Sequence, residues 1–223
     1  MIFHFPGGIK KMLKIKDGFA FEQAHNDVLV ITYKDHDFDS VSDRYQSVSV
    51  MNGKRHNSQK MYDIMKYIIQ NHLQYKYVLI IDCNDVYVEA GTIDKMISDK
   101  SADIFLSSYY ALDRGFSVNS GAIFGSIESI CCLAEAYIHI YDYASSIRIQ
   151  HKFDERIFCA AIDVISPKYI VNKSNEHIKT INCFNSKDLL NYSWIFDCDI
   201  NDIVAFYDAK LGSTINEIRK QQL

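Results

Sequence analysis

Two prolines and nine glycines in 223 residues, with no low-complexity tract, leave nothing that reads as a linker. One domain with irregular ends is therefore expected. No stretch reaches the ~20 apolar residues of a membrane-spanning helix, and the opening MIFHFPGGIKKMLKIK lacks the basic-then-apolar order of a secretion signal. These absences point to a cytoplasmic chain without a transmembrane segment. A concentrated basic face is missing too: the formal net charge is -4 and the pI about 6.0. Phosphate neutralisation needs clustered cations, so nucleic-acid binding is excluded. The one lysine cluster, Lys10, Lys11, Lys14 and Lys16, reads as solvated surface. Six cysteines, Cys83, Cys131, Cys132, Cys159, Cys183 and Cys198, form no CxxC pair. That argues against a zinc site or a disulfide frame and for reduced, buried thiols.

What is present is ample core material. Hydrophobic residues make up 48% of the chain, and the 15 tyrosines and 13 phenylalanines read mainly as core filling. Apolar runs bounded by polar turns predict strands over 28–33, 45–50, 77–81, 104–107, 122–124, 169–171 and 178–183. From Asn57, the residues Met61, Ile64, Met65, Ile68 and Ile69 recur at three and four, which predicts a helix ending near His72. A second helix is expected over 127–143, with Ile130, Ala134, Tyr137, Ile138 and Tyr141 inward, and shorter ones from Thr92 and just after Asp154. Strands such as VLVITY and YVLIID, apolar almost throughout and alternating with helices, are the mark of an α/β fold: a mixed, mostly parallel sheet covered on both faces. Ligands of such sheets sit at the carboxyl ends of the strands.

One strand ends in YVLIIDCNDVYV, with Asp82 and Asp85 three residues apart. In an extended strand those side chains face opposite ways, so they converge only if the chain turns at Cys83 and Asn84. Converged, they offer hard oxygen ligands to Mg²⁺ or Mn²⁺, ions that are commonly held by one or two carboxylates and the phosphates of a substrate. The simpler use of the pair is to end the strand and cap a turn. A phosphatase of the haloacid dehalogenase type would need an acid at 84, where Asn84 stands.

Three stretches extend the argument. GKRHNSQKMYDIMKYIIQNHLQYKYVLIIDCNDVYV resembles a segment of the glycosyltransferase domain of lysyl hydroxylases and related procollagen glycosyltransferases, where a helix leads into a strand ending Asp-x-x-Asp-Val. VNSGAIFGSIESI is similar to that family's Asn-Ser-Gly-Gly-Phe-Ile-Gly segment, and KFDERIFCAAI to its Asp-Asp-Gln-x-x-Phe helix start. The resemblance runs over 28–162 and implies a GT-A, Rossmann-like fold, a nucleotide-diphosphate sugar donor (a UDP-hexose) and a Mn²⁺ or Mg²⁺ ion. It implies Asp82 and Asp85 as metal carboxylates, Asn119, Ser120 and Gly121 as donor-sugar or backbone contacts, and Asp154 as the carboxylate facing the sugar. It also implies Thr32 and Tyr33 as uridine contacts and counts Lys60, in the first of the three stretches, among the donor-binding residues. On that reading residues 25–100 form the nucleotide-binding half and 101–223 the acceptor half.

The chain departs from the family at its His-Gly-x-Gly element. The nearest counterpart is FYDAKLGS, without histidine, where Asp208 stands as the replacement metal ligand and Lys210 as a phosphate contact. His177 is a further candidate ligand, and the aspartates of FDCDIND read as a polar turn. The expected function is metal-dependent hexose transfer to an acceptor hydroxyl, the acceptor being a glycan, a lipid-linked or a small molecule. A sugar-nucleotide nucleotidyltransferase is the alternative, although TYKDHDFD lacks the glycine-rich phosphate loop usual after the first strand. A nucleotide-sugar-binding scaffold without catalysis is the third reading.

Overall fold

The continuous Val, Leu and Ile of the first two strong runs are buried on both faces, because each lies in the middle of a sheet with layers on either side. The computed structural model describes residues 1–5, 27–34, 48–52, 56–82, 86–111, 115–147, 155–181 and 191–196. In chain order these form β1 (Ile2–His4), β2 (Val28–Lys34), β3 (Val48–Asn52), α1 (Asn57–Asn71), β4 (Tyr77–Asp82), β5 (Val86–Val88) and α2 (Thr92–Ser98). They continue with β6 (Ile104–Ala111), β7 (Gly115–Ser126), α3 (Ile127–Ser146), α4 (Glu155–Ile165), β8 (Val171–Asn172) and β9 (Ile178–Thr180).

The main sheet has the order β3-β2-β4-β7-β6-β8. β2 runs parallel to both β3 and β4, β7 is antiparallel to its neighbours β4 and β6, and β8 is parallel to β6. All strands but β7 thus point one way, which gives the Rossmann-like, helix-flanked α/β architecture that the alternating pattern predicts. Along β2 and β4 the side chains divide by parity. Leu29, Ile31, Val78 and Ile80 face a core shared with α1, α3 and α4. Val28, Val30, Leu79 and Ile81 face a second core, closed by Ile93 and Met96 of α2 and by Ile2, Val88 and Ile178. Those last three belong to a small sheet of order β5-β1-β9.

The elements differ from expectation in instructive places. α1 covers 57–71 and α3 127–146, close to the predicted bounds, with Ser126 accepting the amide of Ser129 as the α3 cap. Of the expected α3 stripe, Ile130, Ala134 and Tyr137 are fully buried, while Ile138 and Tyr141 pack at the margin. The strand predicted at 122–124 is a 12-residue strand from Gly115, and β1 and β5 have no counterpart among the predicted strands. Cys131, Cys132 and Cys159 are free thiols, and burial pushes the Cys131 thiol up to about 11. No helix among the described residues is long and apolar enough to cross a membrane.

Candidate functional site

β4 ends at Asp82, and β5 begins at Val86 in the other sheet. The end of β4 is thus at the carboxyl edge of the main sheet. Residues 83–85, and with them Asp85, lie outside the described residues. The Asp82 side chain is exposed, and in register Asp82 stands opposite Tyr33 of β2. Tyr33 is described in its backbone only.

Thr32 pairs with Ile81 of β4 and Val50 of β3. Its side chain is completely buried, on the parity of Val28 and Val30, and its Oγ1 meets no hydrogen-bond partner. A hydroxyl in that state is uncommon, since nearly all buried side-chain polar atoms are satisfied. It lies two residues before the end of β2, on the sheet face opposite to that of Asp82.

β7 enters the same edge from the other side. Ile81 pairs with Ala122, while across β6 the register jumps from Leu106↔Ile123 to Ser107↔Asn119, so residues 120–122 are extra on β7. The bulge is held by Asn119, whose Oδ1 accepts the Gly121 amide at 2.8 Å inside the protein. Gly121 is thus part of a bulged strand, one residue ahead of the strand expected over 122–124; Ser120 beside it is half-buried. The same bulge brings in Ser107, buried and hydrogen-bonded through Oγ to Thr180 of β9. That hydroxyl pair ties the two sheets together next to Asn119, and its separation of 73 residues leaves no mark in the sequence.

Two helices open at this edge. α1 carries the chain from the carboxyl end of β3 to the amino end of β4, so its first turn, with half-buried Lys60, stands at the carboxyl edge. That turn is fastened to α3, since the Tyr137 hydroxyl donates to the Ser58 carbonyl at 3.1 Å and the Tyr141 hydroxyl to Gln59 Oε1 at 2.7 Å. α4 descends from Glu155 toward β8, which pairs with the start of β6, so the amino end of α4 is also at this edge. Asp154 itself, like Asp208 and Lys210, lies outside the described residues. Six of the residues expected in the site, Thr32, Lys60, Asp82, Asn119, Ser120 and Gly121, therefore come from β2, α1, β4 and β7 to one edge.

His177 goes elsewhere. Its Nε2 is 2.7 Å from Asp99 Oδ2 and its ring meets Phe105 edge-on at 5.1 Å, near the amino end of β6. The Ser101 amide and then His177 hold the Asp99 carboxyl down to about 2. At that far end as well, Tyr169 and Lys168 donate to Glu128 and keep its carboxyl below the usual range.

The described part of the expected ligand set is the exposed carboxylate of Asp82, a hard oxygen donor of the kind Mg²⁺ and Mn²⁺ take. Among the described residues no three His, Cys, Asp or Glu side chains gather as a complete metal site.

No known family model matches the chain, and no curated protein matches it. The resemblance to procollagen glycosyltransferases therefore rests on the three quoted segments alone. Among solved structures, A197 from STIV is similar at a TM-score of 0.33 and 13% identity over 46% of this chain and 66% of that one. The 4-diphosphocytidyl-2C-methyl-D-erythritol synthase from Anaerococcus prevotii is similar at a TM-score of 0.41 and 11% identity, over 83% of this chain and 79% of that one. Likeness of this degree carries no inference about activity. The Rossmann-like assignment stands on the strand order and directions of the chain itself.

Proposed function

We propose that the chain is a metal-dependent glycosyltransferase of the GT-A type, moving a hexose from a nucleotide-diphosphate sugar, a UDP-hexose, to an acceptor hydroxyl. The observation that carries this reading is the exposed carboxylate of Asp82 at the carboxyl end of a central strand, between β2 and the bulged strand β7. Such a carboxylate suits a cation bound to diphosphate. Carboxyl edges of such sheets are where nucleotides bind.

In this reading Asp82 and Asp85 hold Mn²⁺ or Mg²⁺, with Asp208 as the third ligand. When bound, the ion offsets the charge that gathers on the departing nucleoside diphosphate. Thr32 and Tyr33 meet the uracil and ribose, Lys60 and Lys210 supply cations toward the phosphates, and the bulge at Asn119, Ser120 and Gly121 cradles the hexose. The acceptor oxygen forms a bond to the anomeric carbon as that carbon's bond to the diphosphate oxygen breaks. Asp154, at the head of α4, orients the acceptor hydroxyl and takes its proton.

A screen of UDP- and GDP-sugars for Mn²⁺-dependent hydrolysis tests the reading. One nucleotide class is expected to turn over, releasing nucleoside diphosphate and free sugar, and Asp85→Ala is expected to abolish it. Release of pyrophosphate from a nucleoside triphosphate and a sugar phosphate, with no sugar-nucleotide hydrolysis, would establish the nucleotidyltransferase alternative instead. Nucleotide-sugar binding that needs no metal and yields no product would leave the scaffold reading.

A further inference from the structure

The bulge in β7 has two borders, and they are not held alike. On the Ala122 side the strand is paired on both flanks at once, Ile123 standing between Ile80 of β4 and Leu106 of β6. On the other side the pairing with β4 has stopped, and among the described residues Asn119 is strand-paired with Ser107 alone. That border is therefore as fixed as Ser107 is. Residues directly opposite in an antiparallel pair point to one face, so the Asn119 and Ser107 side chains lie side by side toward the small sheet. Ser107 is buried, and its Oγ is hydrogen-bonded to Thr180 Oγ1 at the end of β9. β9 is itself pinned: it pairs with β1, and Ile178 beside Ile2 sits in the second core. A chain of contacts thus runs from that core through Thr180 and Ser107 to Asn119, whose Oδ1 accepts the Gly121 amide at 2.8 Å.

We infer that Ser107 and Thr180 are positioning residues for the sugar half of the donor. Their hydroxyl contact holds the Asn119 border of the bulge, and with it the Gly121 amide, in one place beside the end of β4. A bulge interrupts the ladder, so its backbone keeps one shape only where side chains tie it down. A hydrogen bond between two hydroxyls on different sheets is such a tie, and since each oxygen can donate or accept, the pair is satisfied within itself. The nucleotide is assigned to other elements, β2, α1 and the end of β4. Loosening the pair therefore weakens the hold on the hexose and spares the hold on UDP. The inference rests on the sugar-transfer reading for its ligand, while the coupling to Gly121 is read without any ligand.

Thr180→Val removes one hydroxyl at nearly constant volume from a half-buried residue, and Thr180→Ser keeps that hydroxyl. The whole chain would be labelled with ¹⁵N-glycine, which gives at most nine amide signals, that of Gly121 being the one lost in Gly121→Ala. In Thr180→Val, and likewise in Ser107→Ala, Gly121 is expected to exchange its amide hydrogen at least about tenfold faster, with Gly125, paired on both flanks of the same strand, unchanged. Thr180→Ser is expected to exchange as the wild type does. Calorimetric titration in Mn²⁺ supplies a readout that a merely structural contact would not move: Thr180→Val is expected to bind UDP-glucose or UDP-galactose about tenfold more weakly and UDP as tightly as before. Exchange at Gly121 unchanged in both variants, or accelerated equally at Gly125, would overturn the coupling. Equal weakening of UDP and UDP-sugar would overturn the positioning role, as would an unchanged UDP-sugar affinity. A wild type that binds neither compound would remove the sugar-transfer reading, and the positioning role with it, whatever Gly121 does.

Discussion

A hydroxyl buried without a partner costs a folded protein about 1–3 kcal/mol, and Thr32 carries such a hydroxyl within a central strand, facing the second core. Thr32→Val removes the orphan at nearly constant volume. Urea unfolding of the free protein is therefore expected to show a gain of about 1 kcal/mol, while affinity for the nucleotide falls; a loss of stability would mean the hydroxyl is satisfied in solution. Asp99 supplies a residue-scale test of a different kind. Its carboxyl is depressed from 3.8 to about 2, so the stability it contributes is complete above 3.8 and is lost as pH falls toward about 2. The urea midpoint of Asp99→Asn should lie below that of the wild type above about pH 4 and converge with it near pH 2. A constant difference across that window would show that the Asp99 contacts do not carry it. Residues of these two kinds were unequally legible. Asp82 stands out because a charge ends an apolar run, whereas Asp99 and His177 meet across 78 residues, and no local pattern announces that.

At the scale of elements, legibility followed burial pattern and length. α1 has 15 residues with apolar positions at three and four, so its face and extent could be read directly. β7 was underestimated for a physical reason: Gly115, Ser117, Asn119, Ser120 and Gly121 have poor strand preference, and only pairing with β6 and β4 holds them extended. The three-residue strands β1 and β5 are too short to show a period, yet they build the layer that covers one face of the main sheet. β7 also contains the sharpest packing constraint described. A Cβ on Gly125 would lie 2.9 Å from the Asp103 carbonyl oxygen and 3.0 Å from the Ile130 side chain, where strand β6 and helix α3 both crowd in. Gly125→Ala is expected to lower stability by about 1–3 kcal/mol with the site edge intact. A neutral result in thermal or urea unfolding would mean the β6–β7 pair separates more readily than its register implies.

For the molecule as a whole, one antiparallel strand in an otherwise parallel sheet places the β4 terminus between β2 and the β7 bulge, and two helices open beside it. The fold class was legible because continuous apolar strands alternating with amphipathic helices admit few arrangements. Position at this edge was legible for Asp82, where a charge ends an apolar run, whereas the Asn119–Gly121 bulge falls inside β7. It was not legible at Ser107 and Thr180, whose contact is created by packing of one sheet on the other. The central claim is that the carboxyl edge binds a nucleoside diphosphate through a divalent cation. Calorimetric titration with UDP, in the presence and absence of Mn²⁺, tests it most directly, using the wild type and Asp82→Asn. The account predicts binding that requires Mn²⁺ and is weakened at least about tenfold by the substitution. UDP binding of equal strength without the ion, or unchanged by Asp82→Asn, would contradict it.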